Sequence, residues 1–492
     1  MAVETVLGID VGTTSVKAGL IGADGTQLGQ SVEAYPTHRS GQNIVEQNPK
    51  DWVRLIRRAM AQFADHKIAA IGLCSQVNTH VFVDAQGEAL MPAILWQDGR
   101  AGAEAAALDA RVSAAQKVKW WGAPMPIDAS HAISRMAWVA RHRPEIWEKT
   151  RYVMLPKDYC MLRLTGQAST DPLSNIGLVD TALNYIDEVL DLVPGARARM
   201  APLVGTTEVA GRVTEGPFAD CPVISGTMDA WAGLVGTGGA LEGATIYLSG
   251  TSEIMGISSA TVVPTPGAIV FPECNGLRLH AAPTQSGGDA KMWFAQTVGL
   301  TLEGMSQMVA ETPRSTATPL FLPQLEGERA PLWDADLRAA FLGVSRKTTL
   351  PDLSRAVYEG VALAARHALD VLKTSAQVES DVIFCGGGGF RSEAWSQIRA
   401  DVLGVPLRTL ATGEPGVLGA ATLAAIGIGA FDGIAEAFEI LARFDATYAP
   451  NELRHEQYNA LFEIYKEAVT TQADIGKRLS TLGSEWQNAG HD

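Results

Sequence analysis

Asp10-Val11-Gly12-Thr13-Thr14-Ser15 decides the reading of this chain. It joins an apolar run at residues 6–9 to a second at 16–21 through a tight Gly-Thr-Thr turn. Small residues let a backbone approach a polyanion closely. The turn also presents N–H groups and two hydroxyls that suit phosphate oxygens. Asp10 closes the first strand, where a carboxylate can hold Mg²⁺, usually through water. The bland alternative is a plain hairpin turn. A parallel element follows in the second half, where Leu248-Ser249-Gly250-Thr251-Ser252 again succeeds a strand-like run. Two such turns suggest two halves of one chain gripping one nucleotide.

Working outward, Asp24-Gly25 between alternating apolar runs predicts a hairpin into a third strand at 27–33. Asn48 suits a helix N-cap, Pro49 the first helical position and Asp51 the positive end of the dipole. Trp52, Leu55, Ile56, Ala59, Met60 and Phe63 mark the apolar face, and 68–73 reads as a buried strand. The order β-β-β-α-β predicts a mixed sheet with helices packed on it. Helices are expected at 106–118, 133–143, 155–165 and 230–235. Residues 222–226 read as a strand entering a glycine turn, and Gly236-Thr237-Gly238-Gly239 as a linker. The second half repeats the plan: a hairpin at 245–258, a long helix capped by Thr349 and Asp352, a strand at 382–384 running into Gly386–Gly389, then helices at 395–403 and 455–479. The domain boundary is expected near 238–243.

The chain has 492 residues with 47% hydrophobic composition, enough for two large cores. Its formal net charge is −15, from 54 acidic and 39 basic residues. That balance argues against nucleic acid and anionic membranes as partners. It also means that an anion such as ATP must be held by local groups. Cys74, Cys160, Cys221, Cys274 and Cys385 are scattered, with no C-x-x-C pair. They read as buried small hydrophobes in a reducing compartment, so a cytoplasmic location is expected. No apolar run reaches membrane-spanning length.

Three glycine-rich sites and one acid carry the chemistry. Lys17, just beyond the first turn, either reaches a phosphate or sits on a solvated strand face. The second site is Ser249–Ser252. The third is Gly386–Gly389, where four glycines at a strand's carboxyl end either allow close approach of a ligand or form a mobile turn. Neither G-x-x-x-x-G-K-[ST] nor a G-x-G-x-x-G opening a dinucleotide unit occurs. The acid is Asp229, in Ser225-Gly226-Thr227-Met228-Asp229-Ala230, where a helix begins. A carboxylate there either takes a proton from a substrate hydroxyl or simply caps the helix. His80, His131, His280 and His367 have no metal-ligand spacing and read as structural, and Trp120-Trp121 as core or interface. Trp96, in Ile94-Leu95-Trp96-Gln97-Asp98-Gly99-Arg100, offers an aromatic face for the C–H face of a carbohydrate.

These residues resemble the FGGY family of carbohydrate kinases. In the second half, Ala339-Ala340-Phe341-Leu342-Gly343-Val344, Asp352-Leu353-Ser354-Arg355-Ala356-Val357-Tyr358-Glu359 and the Gly327-Glu328-Arg329 loop carry the likeness. In the first half Ala132-Ile133-Ser134-Arg135-Met136-Ala137-Trp138-Val139 carries it in part, with Arg135 where a lysine is usual. The resemblance spans about residues 5–431 and is nearest to xylulokinases, through the 92–100 stretch and Leu155-Pro156-Lys157-Asp158-Tyr159.

It implies an α/β chain of two ribonuclease-H-like domains of the actin/Hsp70/hexokinase type with a cleft between them. Residues 1–241 would bind sugar and carry the first phosphate turn, and 242–492 would bind adenosine. Asp229 would be the catalytic base, with Asp10 assisting through Mg²⁺ and both acids near the metal. Thr13, Thr14, Ser15 and Lys17 would meet the phosphates of ATP, together with Thr251. Gly387 and Gly388 would meet the adenosine end, with Ser392 and Gly288 close by. The sugar side would comprise Gln76, Val77, Asn78, Trp96, Asp229 and Ala230. There the match frays: Gln76-Val77-Asn78 replaces the usual Gln-Met-His, and Ala230 replaces an Asn. D-xylulose is the first candidate. L-xylulose, ribulose, fuculose, erythritol and glycerol are alternatives, and an Hsp70- or actin-like ATP-driven protein is the alternative of another class. Homodimers are common for such enzymes, though the sequence names no interface.

Overall fold

Nearly continuous burial along Thr5–Val11 and Ser15–Ile21 marks them as central strands of the first sheet, covered on both faces. The computed structural model describes residues 5–489 except 42, 123, 272, 274–276, 335, 412 and 413, so Cys274 lies outside the described residues. Contacts divide the chain into two units, one of Met1–Gly236 with Glu414–Arg443, the other of Thr237–Gly413 with Phe444–Asp492. The first unit thus ends a few residues before the boundary expected at 241. It also takes back a late segment that the expected division left in the second.

The first unit's sheet has six strands in the order Val209–Arg212, Pro222–Met228, Ile68–Ser75, Thr5–Val11, Ser15–Ile21 and Gln27–Ala34. Its three central strands run parallel, and the outer pairings are antiparallel. Helix Pro49–Gln62 forms as expected, with the Asn48 side chain accepting from Lys50 N. Its stripe, with Trp52 and Ile56 wholly buried, joins Leu7, Ile9, Leu73 and Val223 in the core. The expected helix at 106–118 is two helices, Gly102–Asp109 and Ala114–Trp121. Ser113 and Gln116 form a capping box that starts the second one afresh.

Glycines allow the late helix Pro415–Gly427 to lie directly on this sheet. A Cβ on Gly8 would stand 2.0 Å from Val417 O, and one on Gly72 1.9 Å from Ala420 O. Gly419 meets the helix Asp229–Thr237 in the same way, at 1.7 Å from Ala232 O, and Gly236 lies against Pro415 O. Gly236 is therefore packed helix rather than linker. Gly226 is not a turn either: it sits inside the strand Pro222–Met228 at φ +62, where the register with Ile68–Ser75 shifts.

The second unit's sheet has seven strands in the order Ile269–Val270, Arg278–Thr284, Glu253–Ser259, Thr245–Ser249, Ile383–Gly386, Leu407–Leu410 and Phe444–Tyr448. The long helix Leu350–Ala376 starts at the Thr349/Asp352 capping box. Its first half, through Val357 and Val361, and its second half, through Leu369 and Leu372, bury into two adjoining clusters. Cys74, Cys160, Cys221 and Cys385 are free and buried. Among the described residues no helix is long and apolar enough to cross a membrane.

Candidate functional site

Register places the first unit's acids. In the parallel strands Asp10 lies beside Cys74, Cys74 beside Thr227, and Ser75 beside Met228. Asp10, Gln76 and Asp229 therefore emerge at one carboxyl edge of the sheet, the edge where α/β sheets bind ligands. Asp10 is buried, and its Oδ1 has no hydrogen-bond partner among the described residues. Burial raises its pKa, against the pull of Lys17. Asp229 opens its helix, and its Oδ1 accepts from Ala230 N at 2.7 Å. Part of the residue meets solvent, but its carboxyl is enclosed by protein. Burial first, and the Asp10 charge second, push its pKa up to about 7. A carboxyl poised there can take up a proton near neutral pH.

Lys17 does not sit on a bare solvated face but is engaged by a partner within its own unit. Its Nζ pairs with Glu414 Oε2 at 2.5 Å, at the foot of the late helix. Burial works against the ammonium, but Asp10 and Glu414 outweigh it and hold the pKa above its ordinary value.

The turn itself is braced. Gly12 N donates to Ser15 O at 3.1 Å, and Tyr35 OH donates to Gly12 O. Thr14 is exposed and Ser15 buried. Thr13 belongs to a closed ring of hydrogen bonds. Trp96 Nε1 donates to Thr13 Oγ1 at 3.2 Å, and Trp96 N donates to Thr79 Oγ1 at 3.2 Å. Thr79 Oγ1 donates to Gln76 Oε1, Gln76 Nε2 to Gln47 Oε1, and Gln47 Nε2 returns to Thr13 O at 2.7 Å. The phosphate-type turn and the sugar-side residues Gln76 and Trp96 are thereby one construction, with Trp96 still 39% exposed. Nothing in the sequence singles out Gln47 or Thr79, since neither stands in a motif. Val77 and Asn78 are half-buried beyond this ring, with Asn78 at φ +52. Ala230 follows Asp229 on the helix and supplies only its N–H.

The second unit gathers its own set. Gly288 N donates to Gly250 O and Asp289 N to Thr251 O, both at 3.0 Å. Gly387, at φ +95, approaches Ser249 O so closely that a Cβ would stand at 2.4 Å. Gly388 faces open space and begins the short 3₁₀ turn Gly388–Arg391, so this glycine run is shaped rather than loose. Thr251, Gly288 and Gly387 thus converge on one turn. Ser392 caps the helix Glu393–Leu403 by accepting from Trp395 N. Beneath them Arg399, wholly buried, pairs with Glu253 and donates to Ser249 Oγ at 2.7 Å and Gly389 O at 3.1 Å. Lys291, which no motif marks, is half-buried with its Nζ 4.5 Å from the Trp395 ring centroid and 5.5 Å from that of Tyr358. It makes no ion pair among the described residues. Burial, then Arg399, push its pKa down to about 8.

Two family models cover this chain: the N-terminal domain of the FGGY family of carbohydrate kinases over residues 5–236, and the C-terminal domain over 203–428. The chain belongs to the FGGY family of carbohydrate kinases. This kinase is 30% identical to the xylulose kinase of Escherichia coli (strain K12), over 94% of its own length and 97% of that protein's. Among solved structures, ligand-bound xylulose kinase from Lactobacillus acidophilus matches with a TM-score of 0.86 at 25% identity, covering 96% of this chain and 99% of the other. Gluconate kinase from Lactobacillus acidophilus matches with a TM-score of 0.85, also at 25% identity and with the same coverage. Two neighbours of equal likeness thus carry different sugar names. The mixed α/β fold and the carbohydrate-kinase class agree with the sequence expectation; the individual sugar is a separate question.

Proposed function

We propose that this FGGY kinase transfers the γ-phosphoryl group of ATP to a hydroxyl of a small sugar or polyol, with D-xylulose the first candidate. The observation that carries the reading is Asp229, enclosed at the carboxyl edge of the sheet, with its pKa brought to about 7 by burial and by Asp10. Ionised, it takes the proton of the attacking hydroxyl as the new O–P bond forms and the bond to ADP breaks. Positioning supplies most of the catalysis in phosphoryl transfer, so a modest base suffices. The braced ring through Thr13, Gln76, Thr79 and Trp96 holds the sugar side, and the Trp96 face suits C–H groups.

Thr13, Thr14 and Ser15 in the first unit, and Thr251, Gly288, Gly387 and Gly388 in the second, are read as ATP contacts. Lys291 is the second unit's cation for that anion; Lys17 acts chiefly through Glu414. Asp10 fits Mg²⁺, because its Oδ1 is buried and unpartnered. A lone protein carboxylate with waters and phosphate oxygens is an ordinary Mg²⁺ set. Among the described residues no cluster of three or more His, Cys, Asp or Glu forms a metal cage. Bound there, Mg²⁺ would neutralise phosphate charge. Cytoplasmic location and a homodimer belong to the same reading and rest on family likeness.

The test is ADP release on a panel of pentuloses, hexuloses, sugar acids and four- to six-carbon polyols. One of these substrates is expected to raise ADP production far above the sugar-free rate. A silent panel overturns the reading. A response to gluconate alone keeps the class and changes the substrate.

A further inference from the structure

Two departures from the family pattern, Arg135 and Asn78, touch one another. Arg135 stands in the helix Ala132–His142, and its side chain is wholly buried. One guanidinium nitrogen, Nη1, donates to Asn78 O and to Ile94 O at 3.0 Å, and meets His80 Nδ1 at 2.9 Å. The other, Nη2, donates to Leu95 O. A single side chain therefore ties the segment carrying Gln76, Val77 and Asn78 to the segment carrying Trp96.

We propose that Arg135 is a positioning residue for sugar choice, fixing Asn78 and Trp96 in one geometry from behind the site. This inference rests on the sugar-kinase reading. Asn78 occupies the left-handed region, which residues with a Cβ adopt rarely, although Asn does so more readily than most. Arg135 holds it there through the Asn78 carbonyl. The same guanidinium fixes the carbonyls on either side of the Ile94–Leu95 link, just before Trp96. Trp96 then passes the constraint outward through Thr79 and Thr13.

His80 is neutral here, since burial and then the Arg135 charge hold its pKa well below the usual value. Its Nδ1 lone pair is thus free to accept. A planar fork reaches acceptors on two sides at once. A lysine, with three donors on one atom at the end of a flexible stem, does not. Burying a guanidinium against carbonyls is costly, and an apolar side chain would fill the same core space without that cost.

The experiment compares the parent with Arg135→Lys on the preferred sugar and on its epimer, measuring KM for sugar, KM for ATP and the melting temperature. Arg135→Lys is expected to raise the sugar KM at least tenfold and to reduce the kcat/KM ratio between the two sugars at least fivefold. The ATP KM should stay within twofold. A lowered melting temperature with sugar KM and ratio unchanged overturns the proposal, because that is what a purely structural arginine gives.

Should Arg135→Lys fail to fold, Asn78→Ala and Asn78→Gly test the same point from the surface. Both remove the side chain, but only glycine keeps the left-handed backbone without strain. Alanine is expected to lose at least threefold more discrimination than glycine, and equal losses overturn the proposal. The parent is run on the full panel in parallel. A parent silent on every sugar overturns the kinase reading along with this inference; an active parent with unchanged variants overturns this inference alone.

Discussion

The two glycine turns occupy the same place in their hairpins and are built differently. The turn at Asp10–Ser15 is braced by side chains: Tyr35, Gln47 and Trp96 hold it from outside, and two acids with raised pKa stand at its edge. The turn at Ser249–Ser252 is braced by backbone, with Gly288 and Gly387 pressed against it and the Arg399–Glu253 pair behind. Its own cation is Lys291. On the proposed function the repeated topology would carry two chemistries: proton and metal handling in the first unit, close backbone approach to an anion in the second. Asp229→Asn is the strongest way to break this contrast. It is expected to lower kcat by roughly 10³-fold or more while the ATP affinity changes little, since general-base contributions run to about 10²–10⁴. Single-turnover kinetics with nucleotide titration checks it; a variant at the parent's rate removes the first unit's claim to the chemistry.

Next in size is the pair behind the second turn. Arg399→Met leaves Glu253 buried with Tyr247 and Ser249 as its side-chain donors among the described residues. Breaking such a pair costs about 3–5 kcal/mol. Denaturant unfolding should show a loss of that order. Arg399→Met combined with Glu253→Gln should be less damaged than Arg399→Met alone, because no uncompensated charge remains. A smaller loss is expected from Lys17→Met, because both partners of that pair keep some contact with solvent.

What was legible in the sequence follows the same divide. Hairpins, the capped helices and the place of Asp229 at a helix start were readable, because Asp-Gly turns, Asn48-Pro49, Thr349/Asp352 and a strand running into an acid are local signals. The return of Glu414–Arg443 to the first unit was not. Helix Pro415–Gly427 is buried nearly all round, so it has no amphipathic stripe to say which sheet it covers. Its partners Gly8 and Gly72 look like ordinary strand glycines until the helix backbone is placed on them. The ring that joins Thr13, Gln76 and Trp96 was hidden for a related reason: its linking members Gln47 and Thr79 stand in no motif, and the bonds that close it run between distant segments. Lys17 was visible as a cation near the turn, but its partner lies 397 residues away.

The acids of the first turn should give the enzyme a pH dependence on the acid side of neutrality. With the Asp229 pKa at about 7, kcat/KM should fall about tenfold per unit below that pH, because the protonated carboxyl cannot accept the hydroxyl proton. The same shift works against stability. The native state holds this proton more tightly than the unfolded chain, whose carboxyl titrates near 3.8. Stability is therefore lost as pH rises from about 4 through 7. Asp229→Asn removes that penalty, so its melting temperature at pH 8 should exceed the parent's, and the gap should close by pH 4. A parent whose kcat/KM is flat from pH 5 to 8 would show that Asp229 does not titrate in this range.

The smallest effect tests the second turn's cation. Lys291 sits on the first turns of the helix that begins at Gly288, over Trp395, and with no carboxylate to neutralise it among the described residues. A charged hydrogen bond to a ligand is worth about 1.5–3 kcal/mol. Partial exposure and salt cut that figure, so Lys291→Met should raise the ATP KM by about tenfold. Sugar KM and kcat at saturating ATP should hold, which separates it from Asp229→Asn, where kcat alone collapses. Lys291→Arg should recover most of the loss, because the guanidinium keeps the charge and stacks on Trp395 as well. If Lys291→Met binds ATP as the parent does, the second turn grips its anion by backbone alone, and the contrast between the two turns widens.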